Sequence, residues 1–193
     1  DEHGIMLIVD EVQSGMGRTG KMFASEYYEL KPDIITIAKG IASGLPIGAC
    51  VARADLMDWK PGAHASTFGG NPVCIAAALK TIELLQGGLV ENSAEVGAYL
   101  KAGLEQLMRK HECIGDVRGM GLMLGVEFVK DKASKKEDAE MRDRVEIACF
   151  ERGLILLGCG ANAIRWSPPL ILTRENVDVA LEIFDEAVAA SVQ

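Results

Sequence analysis

Residues 5–10 read Ile-Met-Leu-Ile-Val-Asp, and residues 33–39 read Asp-Ile-Ile-Thr-Ile-Ala-Lys. Each stretch contains a short apolar run that ends in a charged side chain. Such runs are typical of strands that are covered on both faces, as in a parallel sheet. Between them lie a glycine-rich loop and a predicted short helix over 22–30. The sequence therefore predicts a strand–crossover–strand unit, whose connection is expected to be right-handed.

The elements that follow continue this α/β pattern. A third strand is predicted over 46–53. A helix is predicted from Asn71 to about residue 86, because asparagine caps helix N-termini and the proline after it fits the first turn. A glycine pair at 87–88 ends this helix, and a second helix is predicted over about 90–110.

The second half of the chain has an α+β rhythm, with a small sheet and two further helices. Ser134 is predicted to cap a helix that reaches about residue 152, and Thr173 to cap a last helix that reaches about residue 190. The predicted strand-like segments share short apolar patterns and cover residues 117–129, 154–157 and 163–166.

Composition excludes several classes of function. Acidic residues number 28 against 20 basic ones, for a net charge of −8. A nucleic-acid-binding protein needs a basic face, and the sequence has no basic cluster that would supply one. No apolar run approaches the roughly 20 residues that span a bilayer. The five cysteines are scattered, without a Cys-x-x-Cys pair, so no metal site is predicted. We expect a cytoplasmic protein that binds neither nucleic acid nor membrane.

Asp10 and Lys39 are the residues that point most directly to chemistry. Each ends an apolar strand of the same unit, and ligands of open α/β sheets bind at the carboxyl ends of strands. One interpretation is a simple Asp–Lys ion pair, since a lone charge at such a place is costly. The other is a nucleophilic lysine with an acidic partner for a ring nitrogen, the pair that pyridoxal phosphate requires.

A nucleotide-binding loop is a weaker interpretation of the first crossover. Residues 15–20 read Gly-Met-Gly-Arg-Thr-Gly and match the dinucleotide pattern G-x-G-x-x-G. Four residues separate this loop from the strand, and the next strand ends in Lys39 rather than in an acidic residue. Met22 also stands where a P-loop has serine or threonine. A non-catalytic nucleotide-binding fragment therefore stays only as a second alternative.

Three longer segments resemble the class III, or ω-, aminotransferase family. Residues 7–20 read Leu-Ile-Val-Asp-Glu-Val-Gln-Ser-Gly-Met-Gly-Arg-Thr-Gly and are similar to the family signature. Residues 33–48 resemble its lysine segment. Residues 64–72, His-Ala-Ser-Thr-Phe-Gly-Gly-Asn-Pro, resemble the segment that follows. The resemblance extends over nearly the whole chain and includes 4-aminobutyrate, acetylornithine and ornithine aminotransferases.

The resemblance implies a set of cofactor-binding residues for pyridoxal 5′-phosphate (PLP). Lys39 would bond covalently to the cofactor and then move the substrate proton, and Asp10 would keep the pyridine nitrogen protonated. Val12 would pack on the ring, and Gln13 would hydrogen-bond the phenolic oxygen. Thr67 would reach the cofactor phosphate across a dimer interface. The resemblance thus implies a homodimer or a higher oligomer with a shared active site.

The resemblance also implies the substrates and the fold. Arg165 would hold a substrate carboxylate, and the reaction would move an amino group from an amino-carboxylic acid to a 2-oxo acid. The implied fold is α/β: part of a fold-type-I large domain over 1–88, then an α+β small domain over 89–193. An amino-acid racemase or aminomutase of the same family is the alternative. Because family members are longer, we expect the isolated 193 residues to lack turnover.

Overall fold

The parallel pairing of β1 (Ile8–Asp10) with β2 (Ile34–Ile37) organises the first part of the computed structural model, which describes residues 2–192. β3 (Ala49–Ala52) pairs with β2 in the antiparallel sense, so the sheet order is β1-β2-β3. The three predicted strands are present but shorter than predicted. Residues 5–8 are exposed, so the expectation of a strand covered on both faces is wrong within the described chain.

The crossover between β1 and β2 contains a single 3-10 helix, Ala24–Tyr28, and the helix predicted over 22–30 is wrong in type and length. Glu29 follows with φ 51°, a left-handed conformation that does not continue an α-helix. The backbone N–H of Ser25 donates to the Glu11 carboxylate at 2.7 Å instead of to a carbonyl group. The tertiary contact to Glu11 thus determines the local structure here.

α1 (Pro72–Leu84) begins at the predicted cap, where Asn71 Oδ1 accepts from the N–H groups of Val73 at 3.0 Å and Cys74 at 3.3 Å. A π-helical turn, Leu85–Leu89, leads into α2 (Val90–Lys110). Gly88 has φ 123°, which a residue with a side chain adopts only with strain. At the predicted break the chain forms a π-helical turn, and Gly88 is the residue of that turn with a non-helical conformation.

An antiparallel sheet of four strands forms the second part of the chain, in the order β4-β5-β7-β6. The strands and helices of this part that follow α2 are, in chain order, β4 (Ile114–Met120), β5 (Met123–Phe128), α3 (Ala139–Glu151), β6 (Leu157–Cys159), β7 (Ala163–Trp166) and α4 (Arg174–Ser191). Phe184 lies at the centre of the core, edge-on to Trp166 at 5.2 Å and to Phe128 at 6.4 Å between ring centroids. The predicted α+β character is confirmed.

The caps of α3 and α4 show where local patterns succeed and fail. Thr173 caps α4 as predicted, with its hydroxyl accepting from the N–H of Asn176 at 3.3 Å. Ser134 does not cap α3: its hydroxyl donates to Asp131 at 2.5 Å, and Asp138 caps the helix four residues later. A competing carboxylate three residues upstream explains the error.

The chain divides into two compact units between Val90 and Glu91. The assignment of residues 1–88 to a large domain and of residues 89–193 to a small domain stays a prediction. Within the described residues, one helical stretch over 72–110 is long and apolar enough to cross a membrane by length and composition alone. Core helices of soluble proteins meet the same criterion. The stretch contains Lys80 and Glu83, so it is not an uninterrupted apolar run.

Candidate active site

Asp10 is the last residue of β1, and two donors hold one oxygen of its carboxylate. The backbone N–H of Val12 donates to Asp10 Oδ1 at 2.9 Å, and the hydroxyl of Thr36 donates to the same atom at 3.3 Å. Residues 2–192 give Oδ2 no hydrogen bond, and the side chain is exposed. The carboxylate is therefore fixed through one oxygen and presents the other.

Lys39 lies two residues beyond β2 and begins a 3-10 turn, Lys39–Ala42, whose Ile41 and Ala42 are buried. Its φ is 45°, in the left-handed region, which costs a residue with a Cβ roughly 1–2 kcal/mol. Such outliers persist where the surrounding structure holds them, and they cluster at functional sites. α1 packs against this turn, and Ser43 Oγ and Thr81 Oγ1 lie 2.9 Å apart between them.

The lysine amine and the aspartate are not paired with each other. Lys39 Nζ donates to Gln13 Oε1 at 3.0 Å, and no ion pair joins Lys39 to Asp10 among the residues described. The simple Asp–Lys ion pair, one of the two interpretations of the sequence, is thus not found. The structure brings Asp10, Gln13 and Lys39 to one edge of the sheet, with Val12 between the first two along the chain.

Glu11 anchors the loop that carries Val12 and Gln13. Its side chain is 1% exposed, and its carboxylate accepts from Ser14 Oγ at 2.5 Å and from the N–H of Ser25 at 2.7 Å. Burial raises the pKa of the Glu11 carboxyl, but the hydrogen bonds from Ser14, Ser25 and Ala24 outweigh it and place the pKa below its ordinary value. The buried charge therefore ties the start of the loop to its far end.

The backbone N–H groups of the glycine loop over 15–20 are occupied by hydrogen bonds to nearby carbonyl groups. The N–H groups of Gly15, Gly17, Arg18 and Gly20 donate to carbonyl groups within residues 11–22, at 3.0 to 3.4 Å. A phosphate-binding loop needs such groups free and pointing at the ligand. The geometry therefore argues against the nucleotide-binding interpretation.

Thr67 and Arg165 are distant in sequence from Asp10, Gln13 and Lys39. Thr67 is exposed in the loop before α1, and residues 2–192 give its side chain no hydrogen bond. Arg165 is half-buried in β7, opposite Leu157 and Gly125 in the register. No carboxylate of the described residues forms an ion pair with Arg165.

A cavity of about 420 Å³ adjoins Arg165 within the second unit. Its walls are aliphatic side chains and prolines, with Trp166 next to the arginine, and they include Leu100, Leu156 and Pro168. The guanidinium group of Arg165 thus lies beside an apolar cavity and has no acidic partner among the described residues.

Thr36 is the site residue that sequence reasoning missed. It is the one polar residue inside the apolar stretch 34–38, and this interruption is a signal that could have pointed to it. Among the described residues no group of three His, Cys, Asp or Glu side chains could hold a metal ion.

Comparison with known proteins gives the class to which this fold and site belong. The family model described as "Aminotransferase class-III" matches residues 1–188. The chain belongs to the class III aminotransferase family, and the resemblance inferred from the sequence is confirmed.

Individual relatives are similar over nearly the whole chain. The acetylornithine aminotransferase of Caldanaerobacter subterraneus subsp. tengcongensis is 43% identical over 98% of this chain and 46% of its own length. The leucine/methionine racemase of Thermococcus litoralis is 46% identical over 98% of this chain and 43% of its own length. A Bacillus anthracis aminotransferase structure superposes with a TM-score of 0.93 at 37% identity, covering 98% of this chain and 46% of that one. The chain thus spans less than half the length of these relatives.

Replacement of Glu11 tests the buried carboxylate. We expect Glu11→Gln to lower the free energy of unfolding at pH 7 by about 1–3 kcal/mol, because a buried acceptor of several hydrogen bonds is lost. A carboxyl whose pKa is depressed on folding stabilises the protein above its unfolded pKa, about 4.3, and this contribution disappears as the pH falls. The difference between wild type and variant should therefore shrink towards pH 3 in urea unfolding.

Glu29→Gln is the matched control, since Glu29 is exposed in the same segment. It should leave the unfolding midpoint unchanged at both pH values. A Glu11→Gln deficit of equal size at pH 7 and pH 3 would contradict the role given to the ionised carboxylate.

Proposed function

We propose that the protein catalyses PLP-dependent transamination, moving an amino group from an amino-carboxylic acid to a 2-oxo acid. The observation that carries this proposal is the cluster of Asp10, Gln13 and Lys39 at one edge of the sheet, with the lysine and the aspartate unpaired to each other. Membership of the class III aminotransferase family supports it.

The donor set fits pyridoxal phosphate. Asp10 offers a carboxylate oxygen without a hydrogen bond, suited to the protonated nitrogen of a pyridine ring. Gln13 offers an amide that can bond a phenolic oxygen, and Lys39 offers a primary amine that can bond an aldehyde carbon. Asp10 ends β1, Gln13 lies on the loop that leaves β1, and Lys39 begins the 3-10 turn that follows the neighbouring strand β2.

The bound cofactor supplies an electron sink for the pair left when the substrate loses its Cα proton. Asp10 would hold a proton on the ring nitrogen and so keep the ring electron-poor. Lys39 would hold the cofactor through its aldehyde carbon until a substrate amine takes that place. The freed Lys39 amine would then accept the proton that leaves the substrate carbon and donate it again, as general base and then general acid.

Gln13 has two tasks in this proposal. In the structure its amide oxygen accepts from Lys39 Nζ at 3.0 Å, which holds the amine at the strand edge. That bond must open when Lys39 reacts, and the amide then becomes available to the cofactor's phenolic oxygen. Val12, half-buried beside Asp10, would pack on the ring face.

Thr67 and Arg165 complete the proposed site. Thr67, exposed and without a side-chain hydrogen bond in the described chain, would bind the cofactor phosphate of a partner subunit. Arg165, without an acidic partner there, would bind the substrate carboxylate. We accordingly propose a homodimer or higher oligomer with shared active sites, in the cytoplasm, and a large and a small domain that meet near residue 88.

Racemisation is the second candidate, and one observation favours it: the relative named leucine/methionine racemase is 46% identical. A racemase uses the same lysine and aspartate but returns the proton to the substrate carbon.

We expect single enantiomers of amino acids to stay optically pure without 2-oxoglutarate and to yield glutamate with it, as followed by chiral chromatography. Loss of optical purity without the acceptor would replace transamination with racemisation.

Lys39→Ala tests the proposed function directly. We expect it to abolish the yellow absorbance of the PLP-bound protein and to lower the transamination rate by about 10²- to 10⁴-fold, the usual contribution of a general acid–base group. Lys31→Ala is the control, because Lys31 is exposed and lies just before β2, whereas Lys39 lies just after it. Undiminished colour and turnover in Lys39→Ala, measured in protein expressed at the length its gene encodes, would refute the proposal.

A further inference from the structure

We propose that Thr36 is a positioning residue for the cofactor: its hydroxyl fixes the rotation of the Asp10 carboxylate so that Oδ2 faces the pyridine nitrogen. This inference rests on the proposed function and deepens it. Thr36 is not expected to touch the substrate or the cofactor, and its effect is exerted through Asp10.

The sheet places the two side chains together. In the parallel register of β1 and β2, Asp10 is the Cα partner of Thr36. Partner residues of adjacent strands project to the same face of a sheet, with strands roughly 4.8 Å apart. The Thr36 hydroxyl consequently reaches Asp10 Oδ1 at 3.3 Å.

The backbone ties Thr36 to the same point of β1 a second time. The N–H of Glu11 donates to the Thr36 carbonyl oxygen at 3.0 Å. Thr36 thus contacts both Asp10 and Glu11, the first through its side chain and the second through its main chain. Because Glu11 is itself buried and hydrogen-bonded, the threonine is attached to a fixed part of the loop.

Two donors on one oxygen restrict the carboxylate more than one donor would. The Val12 N–H bonds Oδ1 from the chain's own turn, at 2.9 Å, and the Thr36 hydroxyl bonds it from the neighbouring strand. A single donor allows the group to turn about that bond, whereas two donors from different directions oppose the turn. Oδ2 has no donor among residues 2–192 and is left for an outside group.

Strand formation alone does not account for a hydroxyl at this position. The neighbours Ile35 and Ile37 are aliphatic, and valine has the same β-branched shape and a comparable strand preference. The functional difference between threonine and valine is the donor that contacts Asp10. Substitution of Thr36 with valine therefore removes that donor while preserving the shape.

We expect Thr36→Val to weaken PLP binding about fivefold and to lower kcat about tenfold, with KM for the amino donor changed less than about twofold. Thr36→Ser restores the hydroxyl and should return both values to within about twofold of wild type. PLP affinity is measured by absorbance titration of cofactor-free protein, at the length the gene encodes, and the rates by stopped-flow and steady-state kinetics. If Thr36→Val does not fold, Thr36→Ala takes its place.

A double-mutant cycle with Asp10→Asn separates positioning from a general structural role. We expect Thr36→Val to add no further loss in the Asp10→Asn background. An equal loss in both backgrounds, or a Thr36→Val protein that matches wild type in affinity and kcat, would overturn the inference. If Asp10→Asn binds no PLP, the comparison of the serine and valine variants decides. If wild type itself binds no PLP at Lys39, the proposed function fails first, and the two failures are thereby distinguished.

Discussion

The parallel pairing of β1 with β2 is the constraint on which the candidate site depends. It places the carboxyl ends of two short strands side by side, with Asp10 ending one and Lys39 following the other. A slip of one residue in this register would turn the partner of Asp10 to the opposite face of the sheet. The hydrogen bond between the Thr36 hydroxyl and the Asp10 carboxylate depends on that register.

Asp10 and Lys39 are not paired with each other, and each has its own hydrogen-bond partners. An ion pair would have held both groups in one orientation. Instead Gln13 accepts from the lysine, and Val12 and Thr36 donate to the aspartate. Asp10 and Lys39 are both exposed within residues 2–192, so both side chains are open to an outside group.

Much of the architecture could be predicted from sequence because it depends on local chemistry. The strands follow apolar runs, and the caps at Asn71 and Thr173 use side chains that bond the next turn. The errors arose where a distant or competing carboxylate determines the local structure, as Glu11 does in the crossover and Asp131 does at Ser134. At the candidate site, the sequence pointed to Asp10, Gln13 and Lys39, which the structure brings together. The choice between an ion pair and separate partners could not be made from sequence, because it depends on side-chain rotamers that follow from the register.

Borohydride reduction tests the central claim most directly. Purified protein is incubated with PLP, reduced with sodium borohydride, digested and analysed by peptide mass spectrometry. The account predicts a pyridoxyl phosphate group on the peptide that contains Lys39, and unmodified peptides for Lys21 and Lys31. A modified lysine elsewhere with Lys39 unmodified would contradict it.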